Sequence, residues 1–197
     1  MSEIDNLLKN YLDYLEVEKN RSIKTRENYE RYLKIFIGQT RLRSHKEINQ
    51  GLIRDFRLWL GRQNLKKATQ SYYVIAIRNF LRYLLKRGVP TLSPDTIELP
   101  RVSRRDIETL DYGELERLLQ APRGESLRAL RDKAVLEVLF STGLRVSELC
   151  GLNRHMDLDR GEVSVRGKGD KLRIVFLSES AKKILARYLK RREDPEE

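Results

Sequence analysis

Ser141-Thr142-Gly143-Leu144-Arg145-Val146-Ser147-Glu148-Leu149 is the stretch on which the reading of this chain turns. An apolar helical run ends there, breaks at a glycine and gives way at once to a second short run. Gly143 suits the left-handed backbone that terminates a helix. Arg145 then sits between two helices, where its guanidinium fork can be aimed into a cleft. Glu148 lies one helical turn further on and is spaced to orient it. An ordinary surface ion pair has the same spacing, and these residues alone do not choose between the two.

Working outward, the preceding segment from Ser126 to Ser141 is expected to be a helix burying Leu127, Leu130, Ala134, Val138 and Leu139. Before it, Asp111 is placed to cap a helix carrying Leu115, Leu118 and Leu119. After it, Val146 to Gly151 reads as a short helix, and then the period changes from helical to two. Glu162-Val163-Ser164-Val165 and Arg173-Ile174-Val175-Phe176 alternate, with Gly167-Lys168-Gly169-Asp170 as the turn between them, so a β-hairpin is expected. Lys168, flanked by glycines, can come close to another backbone. Basic hairpin tips are also commonly just solvated. A last helix from Ser178 to about Arg192 buries Ala181, Ile184, Leu185 and Leu189, and a polar tail, 193–197, follows.

The first 88 residues read as four amphipathic helices. Ile4, Leu7, Leu8, Tyr11, Leu12 and Leu15 mark the first. Tyr29, Tyr32, Leu33 and Phe36 mark the second, which starts near Lys24 and has Gly38 as its expected stop. Asn49 caps the third, whose stripe is Leu52, Ile53, Phe56, Trp59 and Leu60, with Gly61 following. The fourth, from about Ala68 to Lys86, turns Tyr73, Ile77, Phe80 and Leu84 inward and ends at Gly88-Val89-Pro90. Each stripe is a core face rather than a ligand site. Residues 89–106 carry Pro90, Pro94 and Pro100 without helical period, close with Arg101, Arg104 and Arg105, and read as an extended linker. The domain boundaries expected are therefore 1–88, 89–106 and 107–197.

Composition narrows the function. The 197 residues hold 40 Lys and Arg against 29 Asp and Glu, a net charge of +11, which points to a polyanionic partner, nucleic acid above all. Cys150 is the single cysteine, so an internal disulfide or thiolate metal cluster is excluded; among apolar neighbours it is expected to be a small core residue, in keeping with a reducing cytosol. No metal or other cofactor is implied. The N-terminus does not read as a signal peptide, and charges interrupt every apolar run, so neither export nor a membrane span is expected, and the location expected is cytoplasmic.

The string STGLRVSEL, followed by EVSVRGKGDKLRIVFLS, resembles the opening of the catalytic domain of tyrosine recombinases, the phage-integrase and Xer-type family. The four helices before it resemble that family's core-binding domain, including the helix starts Ser22-x-x-Thr25-x-x-x-Tyr29 and Ala68-Thr69; the likeness runs from about residue 3 to 192. It implies a mainly α fold: a four-helix, SAM-like domain plus an incomplete α+β catalytic domain with a small antiparallel hairpin. It also implies roles. Arg145 would grip the scissile phosphate, Glu148 would brace it, and Lys168 would be the general acid for the leaving 5′ oxygen. The family's nucleophile is a tyrosine, used without metal or ATP. The His-x-x-Arg segment, later His or Trp, and tyrosine that complete that set have no counterpart here. His45 and His155 stand in the wrong context, and Tyr188 shares a helix side with Ile184 and Leu185. The chain is accordingly expected to stop short of its nucleophile, to bind DNA without recombining it unaided, and to leave apolar surface uncovered within 107–197.

The resemblance further implies double-stranded DNA as partner, gripped by both domains. Expected contacts are Lys24, Thr25, Asn28 and Arg31 on the second helix and Lys66, Lys67, Thr69, Gln70 and Arg78 at the fourth. Arg101, Arg104 and Arg105 would pass alongside, and Arg166, Lys171 and Arg173 would reach phosphate beside the hairpin. Asn28 and Gln70 are the side chains suited to adenine edges. Such a chain can act as a homo-oligomer on DNA, pair with a full-length recombinase, or serve as a regulator or competitor that occupies recombination sites.

Overall fold

The computed structural model describes residues 2–100, 108–167 and 171–193. Its first helix, α1 (Glu3–Asp13), starts from a capping box: the Ser2 hydroxyl accepts the Asp5 N–H, and the Asp5 carboxylate accepts the Ser2 N–H at 2.9 Å. A π-helical turn, Tyr14–Glu18, continues it. Ser22 caps α2 (Ile23–Thr40) through the Thr25 N–H. Gly38, expected as the stop of this helix, lies inside it. The helix ends instead at Arg41, which adopts a left-handed φ of 53°. The cause is Leu42, which is buried and returns its N–H to the Ile37 carbonyl at 3.1 Å, so the apolar residue beyond the helix dictates the turn. Gly61 likewise lies inside α3 (Gln50–Arg62), whose cap is the expected Asn49, its Oδ1 accepting the Leu52 N–H at 3.0 Å.

These helices and α4 (Lys67–Lys86) close one core around Tyr11, Phe36, Phe56 and Phe80. Tyr11 packs against Phe80 and Tyr83 at ring-centroid distances of 5.3 and 5.2 Å. Trp59 stacks on Phe56, as a core residue should. Past Gly88 the chain does not run out as an extended linker. Pro94–Thr96 forms a 3₁₀ turn, and Pro94 and Ile97 are buried, with Val89 and Leu92 packed on the same core. A proline at the first position of a turn starts it without losing a donor the turn needs, and Ile97 supplies the apolar anchor. Arg101, Arg104 and Arg105 lie outside the described residues.

The chain divides into two units, Met1–Arg105 and Asp106–Glu197. In the second, Asp111 and Glu114 form a capping box at α5 (Tyr112–Gln120), but none of that helix's residues is buried, and Leu118 stays 43% exposed. Ser126 caps α6 (Leu127–Thr142), which buries Leu130, Ala134 and Val138 against the helix near the end of this unit, 179–191. Leu127 does not join them: it shares their side of the helix but is its first residue, and it stays 44% exposed. Gly143 takes the left-handed conformation expected of it, φ 62°. A short helix, α7 (Val146–Cys150), follows. Cys150 is exposed rather than buried; Leu149 and Leu152 make the apolar contacts there.

Strands β1 (Glu162–Arg166) and β2 (Leu172–Phe176) pair antiparallel, Glu162 opposite Phe176 and Arg166 opposite Leu172. Val163, Val165 and Val175 face the core. Leu172, Ile174 and Phe176 point the other way and remain 59–65% exposed, so apolar surface does stand open on this unit. Ser178 caps α8 (Glu179–Arg191), which buries Ala181, Ile184 and Leu185, and Tyr188 packs on the same cluster. The architecture is the mainly α one read from the residues, with a single small sheet among the described residues.

Candidate functional site

The turn at Gly143 places Arg145 immediately before α7, and one turn of helix brings Glu148 back to it. The Glu148 carboxylate accepts the Arg145 backbone N–H at 2.8 Å and its guanidinium Nη1 at 2.9 Å. From the far side it receives both Nη groups of Arg173 on β2, at 3.0 and 2.9 Å. This two-pronged pairing is the strongest geometry an arginine offers a carboxylate. The Glu148 side chain is only 7% exposed, whereas that of Arg145 is 64% exposed. The pair is therefore no ordinary surface contact: the acid is enclosed and the arginine open. Arg173 first, then the Arg145 backbone N–H, holds the Glu148 carboxyl down to about 2. A carboxylate so placed stays ionised and fixes one edge of the Arg145 guanidinium, leaving the rest available to an anion.

Arg173, expected as a phosphate contact, gives one N–H from each of its two Nη groups to Glu148, and its side chain is 36% exposed. Lys168 lies outside the described residues, so its approach to Arg145 is not described. Lys171 is exposed beside β2, and Arg166 stands on β1 within interactions of its own.

In the first unit the expected residues of α2 form one stripe. Lys24 is 83% exposed and pairs with Glu27. Thr25 bonds to the Ser22 hydroxyl. Asn28 accepts from Arg31, and Arg31 lies over the Tyr32 ring at 5.1 Å. Tyr32 stacks on the half-exposed Tyr72 of α4 and packs against Tyr73, which joins the two helices. Lys66, Lys67, Thr69 and Gln70 open α4, with the Gln70 amide donating to the Leu65 carbonyl at 2.9 Å. Arg78 is separate in its bonding: it is largely covered and pairs with Asp95 of the 3₁₀ turn at 3.4 Å. The Arg31–Tyr32–Tyr72 stack was not anticipated. Part of its signal stood in the sequence, since Tyr32 adjoins Arg31, a residue singled out as a polar contact; nothing local pointed to Tyr72.

The histidines have structural settings. His45 is buried and bonds through Nδ1 to Glu3 at 2.6 Å. His155 sits in the loop after α7, where its backbone N–H donates to the Asn153 side-chain oxygen. Among the described residues no group of three or more His, Cys, Asp or Glu is placed to hold a metal ion, and no helix is long and apolar enough to cross a membrane.

Residues 108–197 match the phage integrase family, and residues 8–88 match the phage integrase, N-terminal SAM-like domain. The chain is 33% identical over 198 residues to tyrosine recombinase XerC of Syntrophus aciditrophicus (strain SB), covering 94% of this chain and 64% of the relative. It is 36% identical over 176 residues to tyrosine recombinase XerC of Salmonella typhi, covering 87% and 58%. Against tyrosine recombinase XerD of Halalkalibacterium halodurans (strain ATCC BAA-125) it is 33% identical over 195 residues, covering 96% and 65%. The chain thus spans 58–65% of the length of these relatives. Among solved structures, the Tn1549 transposon integrase in complex with transposon right end DNA superposes with a TM-score of 0.74 at 18% identity, covering 96% of this chain and 66% of the other. The XerH recombinase bound to palindromic difH gives 0.59 at 23% identity, covering 85% and 52%. At these identities the two likenesses are likenesses of fold.

Proposed function

The chain belongs to the phage integrase family of tyrosine recombinases, and from that premise we propose that it binds double-stranded DNA, with Arg145 holding a backbone phosphate in the manner of a recombination site. The observation that carries this reading is the open guanidinium of Arg145, anchored by a carboxylate that is itself enclosed and neutralised. An arginine so fixed meets a phosphate with little ordering left to do. The charge of +11 supports a polyanionic partner of this kind. Lys24, Thr25, Asn28, Arg31, Lys66, Lys67, Thr69 and Gln70 are proposed to touch DNA from the first unit, mostly at phosphate, with the Arg31–Tyr32–Tyr72 stack holding α2 and α4 in register. Arg166, Lys171 and the undescribed Lys168 are proposed for the second.

Strand exchange is proposed for the whole protein rather than for these residues. The family's attacking group is a tyrosine, and Tyr188, the tyrosine latest in the sequence, packs on the core, so that group has no proposed bearer within residues 1–197. Incubation with labelled duplex, and separately with a nicked suicide duplex followed by denaturing electrophoresis, tests the reading. A salt-sensitive shift without a covalent adduct is expected. Failure to shift duplex at low salt overturns the binding reading, and a denaturant-resistant band overturns the assignment of chemistry to residues elsewhere.

A further inference from the structure

Gly167 lies where β1 leads into the hairpin turn, and its N–H bonds to the Lys171 carbonyl at 2.9 Å. A Cβ at this position would stand 2.9 Å from Nη1 of Arg173 and 3.5 Å from Oε1 of Glu148. The glycine therefore lies directly against the Arg173–Glu148 pair, and any side chain there must push the guanidinium away. Glu148 belongs to α7 and Arg173 to β2, 25 positions apart, so this one ion pair joins the base of the hairpin to the helix that begins at Arg145. Its carboxylate is almost closed off from solvent, where a charge left without its partner is poorly tolerated.

We propose that Arg173 is a positioning residue: by holding and neutralising Glu148 beneath Gly167, it fixes the Arg145 guanidinium for phosphate without touching DNA itself. This rests on the reading of Arg145 given above. Without Arg173, Glu148 has only Arg145 to neutralise it. The pair then carries no net charge toward a phosphate, and the carboxylate opposes the anion that Arg145 would hold. With Arg173 present, two guanidinium groups share one carboxylate, and a net positive charge remains on the open side. Gly167 belongs to the same device, because the space it leaves is filled by the ion pair.

The experiment measures duplex affinity and side-chain order for the wild-type chain, Arg173→Gln, Gly167→Ala, Arg145→Ala and the double variant Arg173→Gln/Glu148→Gln. Arg173→Gln is expected to weaken binding about tenfold, the scale of one charged hydrogen-bonded contact. Adding Glu148→Gln, which removes the unneutralised charge but keeps an acceptor for the Arg145 N–H, is expected to restore most of that loss. Gly167→Ala alters no charge and is expected to weaken binding in the same direction. The salt dependence of Arg173→Gln should keep the wild-type slope, since no phosphate contact is lost. In the free protein, side-chain ¹⁵N spectra should show restrained Arg173 Nη signals that average out in Gly167→Ala. Loss of affinity that the double variant does not recover, together with a shallower salt slope, makes Arg173 a direct phosphate contact and overturns the proposal. So do Arg173 Nη signals in the wild type that are freely averaged. If Arg145→Ala binds like wild type while the Arg173 signals behave as expected, it is the reading of Arg145 that falls. Arg173 then holds Glu148 without serving DNA.

Discussion

Protonating Glu148 removes the charge that four hydrogen bonds share, two from Arg145 and two from Arg173, and weakens them together. Its folded-state pKa, about 2, lies below the usual 4.5, so its contribution to stability is fully present above pH 4.5 and is lost as pH falls through about 2. Urea unfolding of the wild type and Glu148→Gln should therefore differ most above pH 4.5 and converge below it; a difference constant with pH contradicts the assignment. Tyr11 supplies a second test. Its hydroxyl is buried and has no hydrogen-bond partner among the described residues, and burial pushes its ionisation well above the usual phenol range. Tyr11→Phe removes an unsatisfied polar atom while keeping the ring contacts with Phe80 and Tyr83, so thermal unfolding should show unchanged stability or a gain of up to about 1 kcal/mol. A loss of several kcal/mol would reveal a partner for that hydroxyl.

The elements differ in how firmly their own residues specify them. Arg41 ends α2 in a left-handed conformation that a side chain adopts at a cost of about 1 kcal/mol or more, so Arg41→Gly should raise the melting temperature of the first unit. Helix α5 has a capping box and no buried residue, whereas α4 buries nine from Ser71 to Leu84; amide exchange should be far faster in α5 than in α4. Caps are legible in the sequence itself, because Asn49, Asp111 and Gly143 act through residues close to them along the chain. Gly38 and Gly61 misled because a glycine on an open helix face costs too little to stop a helix that its neighbours sustain. The pairing of Arg173 with Glu148 was illegible for the opposite reason: it spans 25 positions, and no local pattern encodes it. The facing of β2 was open as well. Both Leu172-Ile174-Phe176 and the alternate Val175 are apolar, so alternation could not say which set the core would take.

For the whole molecule, the basic surplus and the arginine site join in the proposed function: charge would draw the chain to DNA, and Arg145 would be one of the groups that settles on a phosphate. Each phosphate contact released lowers the slope of log affinity against log salt by about 0.9 on duplex DNA, so the slope counts contacts independently of their strength. The direct measurement is that slope for the wild-type chain and for Arg145→Ala on the same long duplex, with folding of both verified by circular dichroism. The account predicts weaker binding by Arg145→Ala and a slope shallower by about one contact, about 0.9. Equal affinity and equal slope for the two proteins would contradict it.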